Sequence, residues 1–257
     1  MTGNKVEEWN DRINSNTILD IKFKSNPFDV ALIAQLKKHK KILEVGCGQG
    51  KFMSIFPNIT GLEYSRKFIE VAKKRGVKGK IYRGDAFKMP FKKPSFDLVF
   101  STGLIEHYNK KQKLVNEHTR VTKTGGKCII TVPSIGPDAY LVNLMRETVY
   151  KGTKKYDPQY LGERMKRKEL KELMETAGLK KVVVYNIGIP VRGQPMLILR
   201  NFRKSKNKIL SLYAFILHSI AYITTTSIFR RITKDFLVKL FSRKYGHSLI
   251  GIGIKRS

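Results

Sequence analysis

The stretch ILEVGCGQG, residues 42–50, sets an apolar run around one carboxylate and then places glycines at 46, 48 and 50. Ile42, Leu43 and Val45 read as a short buried strand, and the glycines mark an abrupt turn out of it. Glycine there permits positive φ and close approach of a ligand to the main chain, at a cost in backbone entropy. An ordinary tight turn is the alternative. A dinucleotide-binding turn would read G-x-G-x-x-G, but counting from Gly46 puts Lys51 where the last glycine belongs. No Gly-Lys-Ser/Thr follows as a P-loop requires, so the pattern gives little support to a phosphate cradle.

Working outward, apolar periodicity switches repeatedly between strand and helix. PFDVALIAQLKKH (27–39) reads as an amphipathic helix feeding the first strand, and a further helix is expected after the glycines. NITGLEY (58–64) is a second strand. SRKFIEVAKKRG (65–76) is a helix with Ser65 at its N-cap and Gly76 at its close. GKIYRGDA (79–86) and SFDLVFST (95–102) are strands three and four. NKKQKLVNEHTRVTKTGG (109–126) reads as a helix stopped by paired glycines, and KCIITVP (127–133) as strand five. KRKELKELMETAG (166–178) gives another amphipathic helix, and KKVVVYNIG (180–188) a sixth strand. This alternation predicts an α/β fold, doubly wound, with a mostly parallel sheet covered by helices on both faces. Ligands in such sheets bind beyond the carboxyl ends of the strands. The candidate site is therefore Gly46 to Gly50, Glu63, Asp85, Ala86 and the segment from Ser101 to Tyr108.

Glu63, at the end of strand two, can accept hydrogen bonds from a ribose diol, which needs no phosphate on the ligand. Asp85 could accept from an exocyclic amine of adenine, and Tyr64 and Phe87 could offer apolar faces to a base. Taken together, LEVGCGQG, GLEYS, GDAFKMPF, FDLVFSTGLIEHY, RVTKTGGKCIITVPS and RKELKELMETAGL resemble the class I S-adenosylmethionine-dependent methyltransferases, in particular the broad type 11 group. The resemblance implies S-adenosylmethionine as cofactor and a Rossmann-like methyltransferase fold. It implies that Gly46, Cys47, Gly48 and Gly50 approach the methionine and ribose portions and that Glu63 binds the ribose hydroxyls. Asp85 and Ala86 would meet the adenine edge, beside Tyr64 and Phe87, with Ser101 in the same site. Glu44 would orient the loop or the ammonium of the cofactor, or act through a hydrogen bond behind it. The family also predicts a seventh, antiparallel strand against strand six, which HSLIGIGIKRS (247–257) fits.

On this reading residues 1–257 form one methyltransferase domain. Its cofactor-binding core is 27–188, with an acceptor-side insertion at 134–165, a basic and apolar helical insertion at 200–246, and the closing strand. Methyl transfer is an in-line displacement in which alignment matters most. A hydroxyl or phenol acceptor also needs a base, and His107 in GLIEHY is the candidate catalytic residue. The alternative is that Glu106 and His107 fix the turn. A metal-binding E-x-x-E-H in some quinone-precursor O-methyltransferases is similar, but here Gly103 replaces its first carboxylate, so no metal is expected. Tyr140, Tyr156 and Tyr160 could line an acceptor pocket or simply pack.

Composition bounds the partners. With two cysteines in 257 residues no disulfide framework is encoded. The opening MTGNKVEEWNDRINSN has acids and no apolar core, which argues against a secretory signal and for a cytoplasmic protein. The net charge of +31 would attract nucleic acid, anionic lipid or acidic substrates, although lysines spread over almost every segment can equally be solvated faces. Residues 209–229 carry no charge, while 200–257 hold thirteen Lys or Arg against Asp235 alone. Because 247–257 must rejoin the sheet, a single membrane crossing is excluded. Contact with an anionic membrane surface, at the inner face, and packing on the core both remain open. The expected acceptor is a small-molecule or lipid-like compound. An RNA methyltransferase and a noncatalytic cofactor-binding protein are the alternatives.

Overall fold

The computed structural model describes residues 27–135, 163–187 and 248–256. The chain divides into two compact units, one of residues 1–133, 162–184 and 250–257 and one of 134–161 and 185–249. Most of the second lies outside the described residues, and within it the Asn186 amide donates to Ser134 Oγ at 3.2 Å. The stretch 209–229, the three tyrosines at 140, 156 and 160, and nearly all of both insertions are likewise outside the described residues.

The elements run α1 (Pro27–Leu36), β1 (Ile42–Val45), β2 (Ile59–Glu63), α2 (Arg66–Lys74), β3 (Ile81–Arg83) and β4 (Phe96–Thr102). A 3₁₀ turn (Ile105–His107) then leads to α3 (Lys111–Val121), β5 (Thr122–Pro133), α4 (Arg167–Thr176), β6 (Leu179–Ile187) and β7 (Ser248–Lys255). The sheet order is β3-β2-β1-β4-β5-β7-β6, parallel from β3 to β5, with β7 antiparallel between β5 and β6. This is the expected doubly wound, Rossmann-like methyltransferase fold, closed by its reversed last strand.

All four β1 residues are buried. Leu43 and Val45 join Leu62, Met89, Phe96, Val99 and Val121 in one apolar cluster. On β1's other side Phe52 meets Phe100 edge-on, ring centres 5.7 Å apart. Burying a large apolar side chain contributes about 1.5–3 kcal/mol, so these residues fix where the central strands sit. On α3, Glu117 accepts from Met89 N (2.8 Å) and from Arg120, whose guanidinium also donates to the carbonyls of Phe91 and Met89. That bidentate pair clamps the loop entering β4.

Three expectations need correcting. The segment after the glycines is no full helix: Ser54 N bonds Gly50 O and Phe56 N bonds Phe52 O, and the run then stops. Pro57 disfavours helical geometry at Phe56 and so cuts it short. Second, α3 ends at Val121, before the paired glycines. Thr122 already pairs with Phe96, and Gly125 (φ +78°) and Gly126 sit in a bulge on β5 before the register resumes at Lys127 opposite Leu98. Third, α1 reads PFDVALIAQL, apolar nearly all round rather than two-faced. By contrast α2 is capped as expected, with Ser65 Oγ accepting from Phe68 N and Gly76 at φ +72° just past its end.

Gly61 of β2 lies directly beneath the glycine turn. A Cβ there would stand 2.6 Å from Cys47 Sγ and 2.7 Å from Met53 Sδ. Gly61→Ala is therefore expected to cost about 1–3 kcal/mol, read as a lower urea midpoint at unchanged m-value.

Candidate functional site

The turn after β1 is stitched to the end of β2. Gly46 N and Cys47 N both donate to Leu62 O, at 2.8 and 3.1 Å. One residue further, Glu63 Oε2 accepts from Gly48 N at 2.9 Å, while its Oε1 accepts from Ser65 N at 2.8 Å. The carboxylate thus fixes the glycine turn on one side and the entry to α2 on the other. Burial pushes its pKa up, and the backbone N–H groups of Ser65, Gly48 and Tyr64 pull it back. With three backbone donors on two oxygens, the carboxylate retains acceptor capacity.

Beyond this stitch lies a cleft of about 390 Å³, in the range of small-ligand pockets. Gly48, at φ +52°, borders it, and a Cβ added there would meet nothing within 4 Å, so the main chain is bare toward the open space. Gly46, at φ +71°, has a different reason to be glycine. Its Cβ would press Leu104 Cδ1 at 3.0 Å, and Leu104 forms the opposite wall.

Of the residues expected at the site, Glu44, Gly46, Cys47, Gly48, Glu63, Tyr64, Ala86 and His107 line the cleft. Gly50, Asp85, Phe87 and Ser101 are not on its wall. A Cβ at Gly50 would sit 2.7 Å from Val77 Cγ2, so its smallness lets the turn pack on the segment after α2. Asp85 Oδ1 accepts from Phe87 N at 2.9 Å and closes a local turn. Phe87 stands behind the wall, edge-on to Tyr108 at 5.2 Å. Ser101 is fully buried in β4, and its neighbour Thr102 faces the cleft instead. Leu104 and Tyr108 are wall residues that the sequence reading left unresolved within its 101–108 segment. Burial pushes the Tyr108 phenol up, and the carboxylates of Glu63 and Asp85 push it further, so it stays a hydrogen-bond donor.

Two more acids are held in low dielectric. Glu44 is 2% exposed, and its Oε2 has no hydrogen-bond partner among the described residues. Burial raises its pKa well above the ordinary value, Lys51 opposes this, and Glu63 adds to it. Glu106 is buried under the 3₁₀ turn, and burial carries its carboxyl to about 8. Its Oε1 lies 4.0 Å from His107 Nε2, outside hydrogen-bond reach but within strong electrostatic range.

These features fit a nucleoside carrying an ammonium and a diol. Bare main chain at Gly48 offers room, the anchored Glu63 offers acceptor oxygens, and Glu44 presents a buried carboxylate oxygen that lacks a donor. A dinucleotide's pyrophosphate would find two acids, Glu44 and Glu63, on the wall beside the turn, against the one lysine Lys51.

Comparison with known proteins bears on the family. Residues 43–130 match the family model described as a methyltransferase domain. An uncharacterized protein of Methanocaldococcus jannaschii is 31% identical over 153 residues, spanning 58% of this chain and 71% of that protein. Probable tRNA methyltransferase 9B of Homo sapiens is 29% identical over 118 residues, 44% of this chain, and the match spans only 26% of that relative's length. Among solved structures, a Thermotoga maritima S-adenosylmethionine-dependent methyltransferase, described as a possible histamine N-methyltransferase, superposes with a TM-score of 0.57 at 18% identity, over 89% of this chain and 88% of that one. Motif, relative and fold converge on one assignment: the chain belongs to the class I S-adenosylmethionine-dependent methyltransferases, and S-adenosylmethionine is its cofactor.

Proposed function

We propose that the chain transfers methyl groups to a protic nucleophile, a hydroxyl or an amine, that enters the cleft beside His107. The observation that carries this reading is the placement of His107 on the cleft wall with a buried carboxyl at its back. The cofactor supplies a sulfonium-activated methyl group: a C–O or C–N bond forms as the C–S bond breaks, and the bonding pair stays on sulfur. The residues of the chain have two remaining tasks, holding the reactants in line and receiving the acceptor's proton.

For the first task, Glu63 would take the ribose hydroxyls, Glu44 the ammonium, and Gly46 to Gly48 the close approach, with Tyr64 and Ala86 beside the base. For the second, His107 would accept the proton. A neutral Glu106 carboxyl lies 4.0 Å away at pH 7, and ionising it would stabilise the imidazolium. Glu106 is a positioning residue in this scheme, since it does not border the cleft.

Two acceptor classes follow from different observations. A small-molecule or lipid-like acceptor accords with the uncharged stretch 209–229. Among the described residues no helix is long and apolar enough to cross a membrane. An RNA acceptor accords with the likeness to tRNA methyltransferase 9B.

Three outcomes test this reading. Calorimetry should show Glu63→Gln weakening S-adenosylmethionine binding about tenfold or more, the loss expected when a charged hydrogen-bond acceptor is neutralised. With labelled methyl donor and cell extract as acceptor source, His107→Ala should cut incorporation about 10²–10⁴-fold while leaving cofactor affinity within about threefold; an undiminished rate would remove His107 from the mechanism. Glu106 gives a pH signature. Between the ordinary carboxyl value of 4.5 and about 8 the folded chain keeps a proton that the unfolded chain has released. Its contribution to stability is therefore full below pH 4.5 and is lost as pH rises toward 8. Glu106→Gln should flatten that decline in a urea-midpoint series.

A further inference from the structure

Three helices begin on the face where the cleft opens. α2 follows β2 through Tyr64 and Ser65, both cleft residues. α3 follows β4 through the 3₁₀ turn that carries His107. α4 starts where Met165 N bonds Pro133 O, at the carboxyl end of β5, and Glu163 N bonds Glu106 O. All of these residues belong to the first compact unit.

Helix N-termini favour acids and short polar caps. These three carry cations in their first turns, although Ser65 caps α2. The first turn of α2 has Arg66 and Lys67 and no acid. α3 has Lys110 at its N-cap with no side-chain cap bond, then Lys111 and Lys113 and again no acid. α4 has Lys166 at its N-cap, also without a cap bond, then Arg167 and Lys168 against the single acid Glu169. Exposed Arg83 ends β3, and exposed Lys88 follows on the same side. Some of this charge is paired: Arg66 lies 3.2 Å from Glu70, Lys111 bridges to Glu163, and Lys168 lies 3.6 Å from Glu172. Lys67, Lys110, Lys113 and Lys166 are exposed.

Scattered lysines are an adequate account of a basic protein, but less so of first turns without an acid at α2 and α3 and lysines without a cap bond at the N-caps of α3 and α4, all on one face. Local stability has been given up there repeatedly, which is where function is expected to override local preference. The two carboxylates on the cleft wall, Glu44 and Glu63, and Glu106 behind it are buried, whereas Glu163 is exposed and paired with Lys111. Tyr64, 38% exposed, offers a ring at the rim.

We infer that this face docks the phosphate backbone of a folded RNA, with the cations around the cleft mouth neutralising phosphates as the acceptor nucleotide enters. The inference rests on the methyl-transfer reading above and names the carrier of the acceptor. An anionic bilayer would also meet the charge. RNA is favoured because the described residues on this face expose few large apolar side chains, Tyr64 on the cleft wall and Ile135 just past β5, and a bilayer-inserting rim would need several.

The test uses the full chain, a labelled pool of unfractionated tRNA, and vesicles containing phosphatidylglycerol, each across a salt series. The triple variant Lys67→Glu, Lys110→Asp, Lys166→Asp restores the acid and the caps, so its thermal midpoint should hold or rise. Its RNA affinity should fall, and the slope of log affinity against log salt should flatten by about 3, near 0.9 for each phosphate no longer neutralised. The control Lys40→Glu, Lys78→Glu, Lys92→Glu alters exposed cations at the opposite end of the strands and should change the slope by less than about 1. Equal losses in both triples would mean the charge acts without direction, and vesicle binding by wild type without RNA binding would put a membrane on this face. Either result overturns the inference. Cofactor calorimetry separates the two levels: wild type that binds S-adenosylmethionine but no RNA loses only this face, whereas wild type that binds no cofactor loses the methyl-transfer reading beneath it.

Discussion

One carboxylate sets the geometry on which the site depends. Glu63 accepts Gly48 N–H with one oxygen and Ser65 N–H with the other, so the end of β2, the turn after β1 and the entry to α2 share one anchor. Hydrogen bonds to a charged acceptor are worth about 1.5–3 kcal/mol each, so the Gly48 bond, together with the two donors to Leu62 O, offsets part of the entropy cost of ordering a turn with three glycines. Burial works against the charge, and the backbone donors offset part of that cost. Glycine supplies the positive φ, while the acid makes it a fixed shape.

The distribution of charge follows the same logic at larger scale. The chain carries a net charge of +31, yet its cleft is bordered or backed by acids held away from solvent. In such surroundings carboxyl groups hold protons more tightly, and a cationic ligand finds its strongest partners within a basic protein. A basic surface attracts polyanions at long range, and acids inside a cleft favour a cation at short range. The two fields act at different distances and need not compete.

How far the residues alone reveal this varies with the physics involved. The strands and α2 were legible because burial imposes period two on a strand and because Ser65 and Gly76 mark a helix at both ends. The helix expected after the glycines shrinks to little more than one turn because Pro57 disfavours helical geometry at Phe56 in so short a run. The end of α3 was misread because paired glycines look like a helix stop, whereas they form a bulge whose register depends on β4. At the site, the loop and Glu63 could be found from spacing. Ser101 and Thr102 differ only in which side of β4 they face, and Asp85 spends its oxygen on Phe87 N, a local bond that sequence does not announce.

The position of β7 also constrains how the molecule is made. β6 joins the sheet only through β7, which sits between it and β5, and about sixty residues separate the two in the chain. A ribosome releases β6 long before the strand that must slip in beside it. During synthesis β1 to β5 can pair among themselves, while α4 and β6 wait with an unfilled slot at the sheet margin. An unfilled slot of that kind will accept any extended peptide of suitable pattern, so the interval before β7 emerges is when a nascent chain is most exposed to misjoining and most in need of a chaperone.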